Sequence, residues 1–261
     1  MDTYRQLFVG GVSRDGAEGG RISVEDPSTG EVFAEVADGT PADAIDAVHA
    51  ADHAQKAWAR VAPRTRAEVL RASWQILTDH TDELAELIVR EHGKPLADAR
   101  GEVAYAAEFF RWNAEETVRI RGELAVAPSG ANRILVHHPP VGVVVMITPW
   151  NFPAAMITRK LAPALGAGNG VVIKPPKQTP LTALRIAELL AEAGVPEGLV
   201  NVVPTSTSGA WYDAAVAQTP VRMVSFTGST EVGRTLLRGA ADRVLKTVME
   251  LGGNAPFVVF A

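Results

Sequence analysis

Cysteine is absent from the 261 residues. That excludes disulfides, cysteine-ligated zinc, iron–sulfur clusters and a cysteine nucleophile within this chain. Basic residues do not dominate either: 25 Lys and Arg face 30 Asp and Glu, a net charge of −5. Such a balance carries no electrostatic footprint for a nucleic acid or an anionic membrane. No long apolar run exists; Val141 to Pro149, the most apolar stretch, is far too short to span a bilayer. The opening residues lack a charged segment followed by an apolar one, so no secretory signal is expected. The default expectation is a soluble, cytoplasmic protein. What is present is ordinary: 47% hydrophobic and 21% charged residues, enough for one or two packed domains.

Residues 1–40 read as short strands and turns, punctuated by Gly10-Gly11, Gly19-Gly20 and Pro27-Ser28-Thr29-Gly30. Thr40 followed by Pro41 predicts a helix start. That helix runs to about Arg60, a second spans Arg64 to Glu91, and a third runs from Leu96 to Arg119. Residues 121–140 read as extended, and Pro139-Pro140 closes the stretch. Beyond it, apolar runs at Val141–Ile147, Gly170–Ile173, Leu199–Val203, Val221–Phe226 and Lys246–Leu251 alternate with helical stretches. Runs without polar alternation suit strands covered on both faces. The expected fold is therefore α/β, a doubly wound, Rossmann-like parallel sheet preceded by strands and helices. Ala255 to Ala261 reads as one further strand.

Ligands of such sheets bind beyond the carboxyl ends of the strands. Four polar clusters stand there: Thr148-Pro149-Trp150-Asn151-Phe152-Pro153, Lys174-Pro175-Pro176-Lys177, Thr227-Gly228-Ser229 and Glu250-Leu251-Gly252-Gly253. The Gly228 turn suits a pyrophosphate, since glycine permits close backbone approach and the next helix offers free N–H groups. An ordinary strand–turn–helix with a serine cap reads the same way. Lys174 and Lys177 suit ribose or phosphate oxygens, or form a solvated basic loop. Asn151 is an amide donor suited to an oxyanion, or a turn former. Glu250, after an apolar strand, is a partly desolvated base or a capping carboxylate. His49 and His53 lie one helical turn apart without a third ligand, so no metal site is expected. His137-His138 read as an exposed strand. Glu102, Glu108, Glu115 and Glu116 read as helix surface, and Trp58, Trp74 and Trp112 as packing residues.

Together these motifs resemble the aldehyde dehydrogenases. Thr148–Pro153 is similar to the family's oxyanion segment, and Lys160-Leu161-Ala162-Pro163-Ala164-Leu165 with Gly168-Asn169 is similar to the family's next segment. Lys174-Pro175 resembles the adenosine-ribose loop, Phe226-Thr227-Gly228-Ser229 the coenzyme turn, and Glu250-Leu251-Gly252-Gly253 the general-base motif. Within the family the tone is that of bacterial enzymes acting on succinate semialdehyde or aromatic aldehydes.

The resemblance implies oxidation of an aldehyde to a carboxylic acid through a cysteine thioester, with Asn151 on the oxyanion and Glu250 as general base. It implies coenzyme contacts from Ile147, Thr148, Pro149, Trp150, Asn151, Lys174, Pro175, Lys177, Gly209, Phe226, Thr227, Gly228, Ser229, Leu251 and Gly252. Many NAD-preferring members carry a glutamate where Lys177 stands, so NADP is expected over NAD. The partners implied are a small aldehyde and, in the full-length form, further copies in a homodimer or homotetramer.

The resemblance divides the chain into residues 1–120, the strands and helices that open the coenzyme domain; 121–140, an oligomerisation-type strand; 141–251, the coenzyme-binding core; and 252–261, the start of a catalytic domain. It spans only about the first half of a full-length member, whose nucleophilic cysteine lies beyond the general base. A polypeptide of these residues is expected to be inactive alone. The rival reading is a non-catalytic nucleotide-binding or assembly module. A hydroxyacid-type dehydrogenase would need G-x-G-x-x-G after the first core strand, which Thr148–Pro153 lacks.

Overall fold

A computed structural model describes residues 5–260. The chain opens with a tight hairpin, β1 (Leu7–Val9) and β2 (Val12–Arg14). Gly10 and Gly11 form its two-residue turn, with φ of +69° and +89°, a geometry that a side chain would oppose. A separate two-stranded sheet comes next, β3 (Arg21–Asp26) and β4 (Glu31–Ala37). Four helices succeed it: α1 (Pro41–Trp58), α2 (Pro63–Asp79), α3 (Thr81–His92) and α4 (Leu96–Thr117). Thr40 caps α1 in a reciprocal box with Asp43, as the Thr-Pro signal predicts.

The predicted second helix is two. It breaks at His80, where ψ is +23°. Polar side chains take over the carbonyls there: Thr78 Oγ1 donates to Trp74 O at 2.8 Å, and Thr81 Oγ1 to Thr78 O at 2.6 Å. The extended stretch is also two elements, the antiparallel hairpin β5 (Glu123–Val126) and β6 (Arg133–Val136). Pro128-Ser129-Gly130 makes its turn, with φ of +73° at Gly130.

The core then alternates strictly: β7 (Val143–Ile147), α5 (Ala155–Gly166), β8 (Gly170–Lys174), α6 (Leu181–Glu192), β9 (Val200–Val202), α7 (Ser208–Ala217), β10 (Val221–Gly228), α8 (Thr230–Ala241) and β11 (Lys246–Leu251). The main sheet has the order β11-β10-β7-β8-β9-β1-β2. Its first five strands are parallel, while β1 joins β9 antiparallel. No ladder partner for residues 252–260 exists among the described residues, so the strand expected there is not formed.

At β7, β8 and β9 both faces of the sheet are covered and every residue is buried, which is why these strands carry no polar alternation; β11, at the edge, alternates exposed and half-buried residues. Val144 and Met146 of β7 point into one core, with α2 to α6. Val143, Val145 and Ile147 point into the other, with α1, α7 and α8. Trp58 is buried and donates from Nε1 to Leu165 O at 2.8 Å. Trp112, in contrast, is 62% exposed, a correction to its reading as a packing residue: it points away from the face of α4 that buries Phe110 and Ala114.

Candidate active site

The chain leaves β7 for β8 and β9 on one side, then returns to place β10 on the other. Neighbouring connections therefore part between β7 and β10 and open a crevice at their carboxyl ends. The predicted loops line up along this edge. Lys174 pairs with Ile147, Ile147 with Phe226, Thr227 with Glu250, and Gly228 with Leu251. Gly252 N donates to Gly228 O at 3.3 Å, continuing the line by one residue.

Two threonines stand beside the seam, Thr148 directly after β7 and Thr227 near the end of β10. Thr148 Oγ1 and Thr227 Oγ1 are both buried and make no hydrogen bond. Lys174 is buried and donates from Nζ to Pro175 O at 3.1 Å; burial pulls its ammonium down to about 8. Gly228 is required sterically, since a Cβ there would meet the Phe226 ring at 2.5 Å. Ser229 caps α8, accepting from Val232 N at 3.3 Å. A Cβ on Gly233 would meet Leu251 at 2.6 Å, so that glycine lets α8 close down on the end of β11. An ammonium and a helix amino end along one line of strand ends fit a phosphorylated nucleotide.

The remaining predicted residues lie around this seam. Pro149, Trp150 and Asn151 form an exposed or half-exposed turn between β7 and α5, and Pro175 is buried beside Lys174. Lys177 is exposed and lines a depression with Arg21, Asp38, Gln178 and Ser206. Gly209 sits exposed in the first turn of α7, beyond the end of β9. Glu250 differs from the expectation of a desolvated base. It lies on β11 itself, an edge strand, and is exposed. It shares a pocket of about 320 Å³ with Lys160, Ser225, Arg159 and Asn169. Lys160 is buried, donates to Ser225 Oγ at 2.9 Å, and is drawn down to about 8 by burial against the attraction of Glu250.

Four contributors escaped the sequence reading. Neither α5 nor α6 has a side-chain cap of its own. Glu102 supplies one from α4: its Oε1 accepts from Ala154 N at 2.8 Å and Ala155 N at 3.3 Å. Glu91 supplies the other from α3, accepting from Leu181 N at 2.8 Å and Thr182 N at 3.0 Å, and from the Thr182 hydroxyl. Glu102 is buried, not helix surface as expected. Lys94 pairs with it at 2.5 Å, and the His92 ring packs 5.8 Å from that of Trp150. Among the described residues no cluster of His, Asp and Glu could hold a metal, and no helix is long and apolar enough to cross a membrane.

The profile described as "Aldehyde dehydrogenase family" matches residues 14–261. The succinate-semialdehyde dehydrogenase of Paenarthrobacter nicotinovorans is 52% identical over 229 residues, 88% of this chain and 51% of that protein. The NADP(+) succinate-semialdehyde dehydrogenase of Escherichia coli is 44% identical over 256 residues, 98% and 53% of the two chains. The crystal structure of succinate-semialdehyde dehydrogenase from Burkholderia pseudomallei superposes with a TM-score of 0.94 at 43% identity, covering 98% of this chain and 53% of that one. The chain thus spans about half the length of the curated relatives it matches. Its sheet order, its strand-end motifs and the match across residues 14–261 lead to one conclusion: this chain belongs to the aldehyde dehydrogenase family.

Proposed function

We propose that the protein carrying this chain oxidises an aldehyde, of the semialdehyde class, to a carboxylic acid with NADP, or NAD, as the oxidant. Residues 1–120 and 141–251 build its coenzyme domain, 121–140 an oligomer contact, and 252–261 lead into the catalytic part. The observation that carries the reading is the crevice between β7 and β10. Lys174, Gly228 and Leu251 lie along one line of strand ends there, with Thr148 following β7 and Thr227 near the end of β10. Ile147, Pro149, Trp150, Pro175, Phe226, Ser229, Gly209 and Gly252 complete its walls. Lys174 takes the adenosine ribose, and the amino end of α8 takes the pyrophosphate. The bound coenzyme supplies a nicotinamide ring that accepts hydride.

The chemistry requires a thiol, and the 261 residues contain none; the nucleophile comes from outside them. Its thiolate attacks the aldehyde carbon, and the Asn151 amide donates to the oxygen that becomes charged. The oxyanion collapses to a thioester as hydride leaves the carbon. Glu250 then takes a proton from water, whose oxygen attacks the thioester carbon and expels the thiolate. Lys160 places a positive charge in the pocket that Glu250 lines.

A non-catalytic nucleotide-binding module is the second reading, since coenzyme binding alone needs no thiol. Two measurements separate them. A polypeptide of these residues, titrated with NADP by intrinsic fluorescence, is expected to bind it, and Lys174→Ala to weaken binding about 10-fold, or about 1.4 kcal/mol. The same polypeptide should show only background coenzyme reduction with aldehydes. In the whole protein, semialdehyde oxidation should fall roughly 100- to 1,000-fold in kcat with Asn151→Ala. Absence of NADP binding would sink both readings; absence of aldehyde oxidation by the whole protein would leave the module.

A further inference from the structure

We infer that Lys94 and Glu102 are positioning residues for the Asn151 turn, a buried ion pair that holds it at Asn151 and Phe152 and at its junction with α5. The inference rests on the oxyanion role proposed for Asn151. It starts from a local deficiency. The turn from Thr148 to Ala154 carries two prolines and leads into a helix whose capping position is an alanine. Alanine offers no acceptor for the first helical N–H groups, so the turn has no means of its own to fix where α5 begins.

Glu102 fills that role from the neighbouring helix. Its side chain is 0% exposed, and Oε1 accepts from both Ala154 N and Ala155 N. Oε2 is left for Lys94, whose side chain is 11% exposed and whose Nζ lies 2.5 Å away. A carboxylate buried this deeply needs such a partner. Lys94 does more than neutralise. Its Nζ also reaches Asn151 O at 3.4 Å and sits 3.8 Å from the centre of the Phe152 ring. One ammonium therefore touches the backbone of Asn151, the side chain after it, and the carboxylate that caps the helix after that. Gly93, at φ +79° with its N–H on Val89 O, ends α3 and turns the chain so that Lys94 points back at the turn. An amide that must meet a charge developing on one oxygen depends on placement within a fraction of an ångström. The pair supplies that placement without touching substrate.

The test uses Lys94→Gln, Lys94→Arg and Glu102→Gln, first by hydrogen exchange and mass spectrometry on the chain. Peptides covering residues 150–156 should exchange roughly 10-fold faster in both glutamine variants, with Lys94→Arg restoring protection and peptides from β8 unchanged. In the whole protein the same glutamine variants should lower kcat about 10-fold, with a smaller change in coenzyme KM. Should Lys94→Gln not fold, Glu102→Gln carries the test, since it keeps the volume and an acceptor for Ala154 N. Unchanged exchange at 150–156 overturns the inference, as does a loss confined to coenzyme KM or a general rise in exchange across the chain. If unmodified protein fails to bind coenzyme, the proposed function fails while the exchange result still reads the grip.

Discussion

Lys177 concentrates the chemistry of coenzyme choice in one side chain. It is exposed, three residues past the buried Lys174, on the loop between β8 and α6. A carboxylate at this place would accept hydrogen bonds from ribose hydroxyls and repel a 2′-phosphate; an ammonium attracts it. Charge-assisted bonds are worth roughly 1.5–3 kcal/mol, less where water competes. We therefore expect NADP to bind about 10-fold more tightly than NAD, and Lys177→Glu to abolish that advantage. Paired titrations of wild type and variant check this, and equal NADP-to-NAD ratios in both would refute it. That Lys174 and Gly228 stand at strand ends was legible in the sequence, because glycine, proline and polar clusters mark those ends. Glu91 and Glu102 were not. A glutamate on an amphipathic helix looks like solvated surface, and the N–H groups that these two satisfy belong to helices far along the chain.

Glu91 shows what this borrowing does at the level of the helix. It ends α3 and caps α6, so the loop between β8 and α6, which carries Lys174 and Lys177, is anchored through one carboxyl. Burial pushes that carboxyl up to about 7, against its hydrogen bonds from Thr182 and Leu181. The folded state thus holds a proton that the unfolded chain, with an ordinary glutamate near 4.5, releases. Its contribution to stability is full below about 4.5 and is lost as pH rises through about 7. Melting temperature should fall over that window, and Glu91→Gln, which has no proton to lose there, should flatten the fall. Parallel melting curves for both proteins would contradict the assignment. The same helix illustrates a limit of pattern reading. Leu77, Leu84 and Ile88 keep one apolar phase across His80, so periodicity runs straight through a break made by side chains bonding to backbone. The hairpin of β5 and β6 was hidden differently: Pro128-Ser129-Gly130 is a turn signal that a reading of residues 121–140 as one extended piece overlooks.

Across the whole molecule, apolar surface is distributed unevenly. Strands β7, β8 and β9 are buried throughout, whereas Leu124 and Leu135 of the β5–β6 hairpin are 73% and 77% exposed, and Phe257 is 90% exposed. Unpaired edges and apolar side chains on the same surface favour self-association. A polypeptide of these residues should show light scattering that grows with concentration, reduced by Leu124→Lys with Leu135→Lys; a monodisperse monomer at high concentration would argue against it. The doubly wound architecture itself was legible, because β7 to β11 and the helices between them are short, uninterrupted and separated by clear punctuation. The strand order was not, since nothing in a strand's own residues records which neighbour it takes. That order has a kinetic consequence. β7 and β8 are joined by a single helix and can pair by closing a short loop, whereas β10 must travel back past β8 and β9 to reach β7. Longer loops close at greater entropic cost and later in folding. The crevice lies at the carboxyl ends of β7 and β10, so a nascent chain gains most of its helix and five of the seven strands of its main sheet before any place for a nucleotide exists.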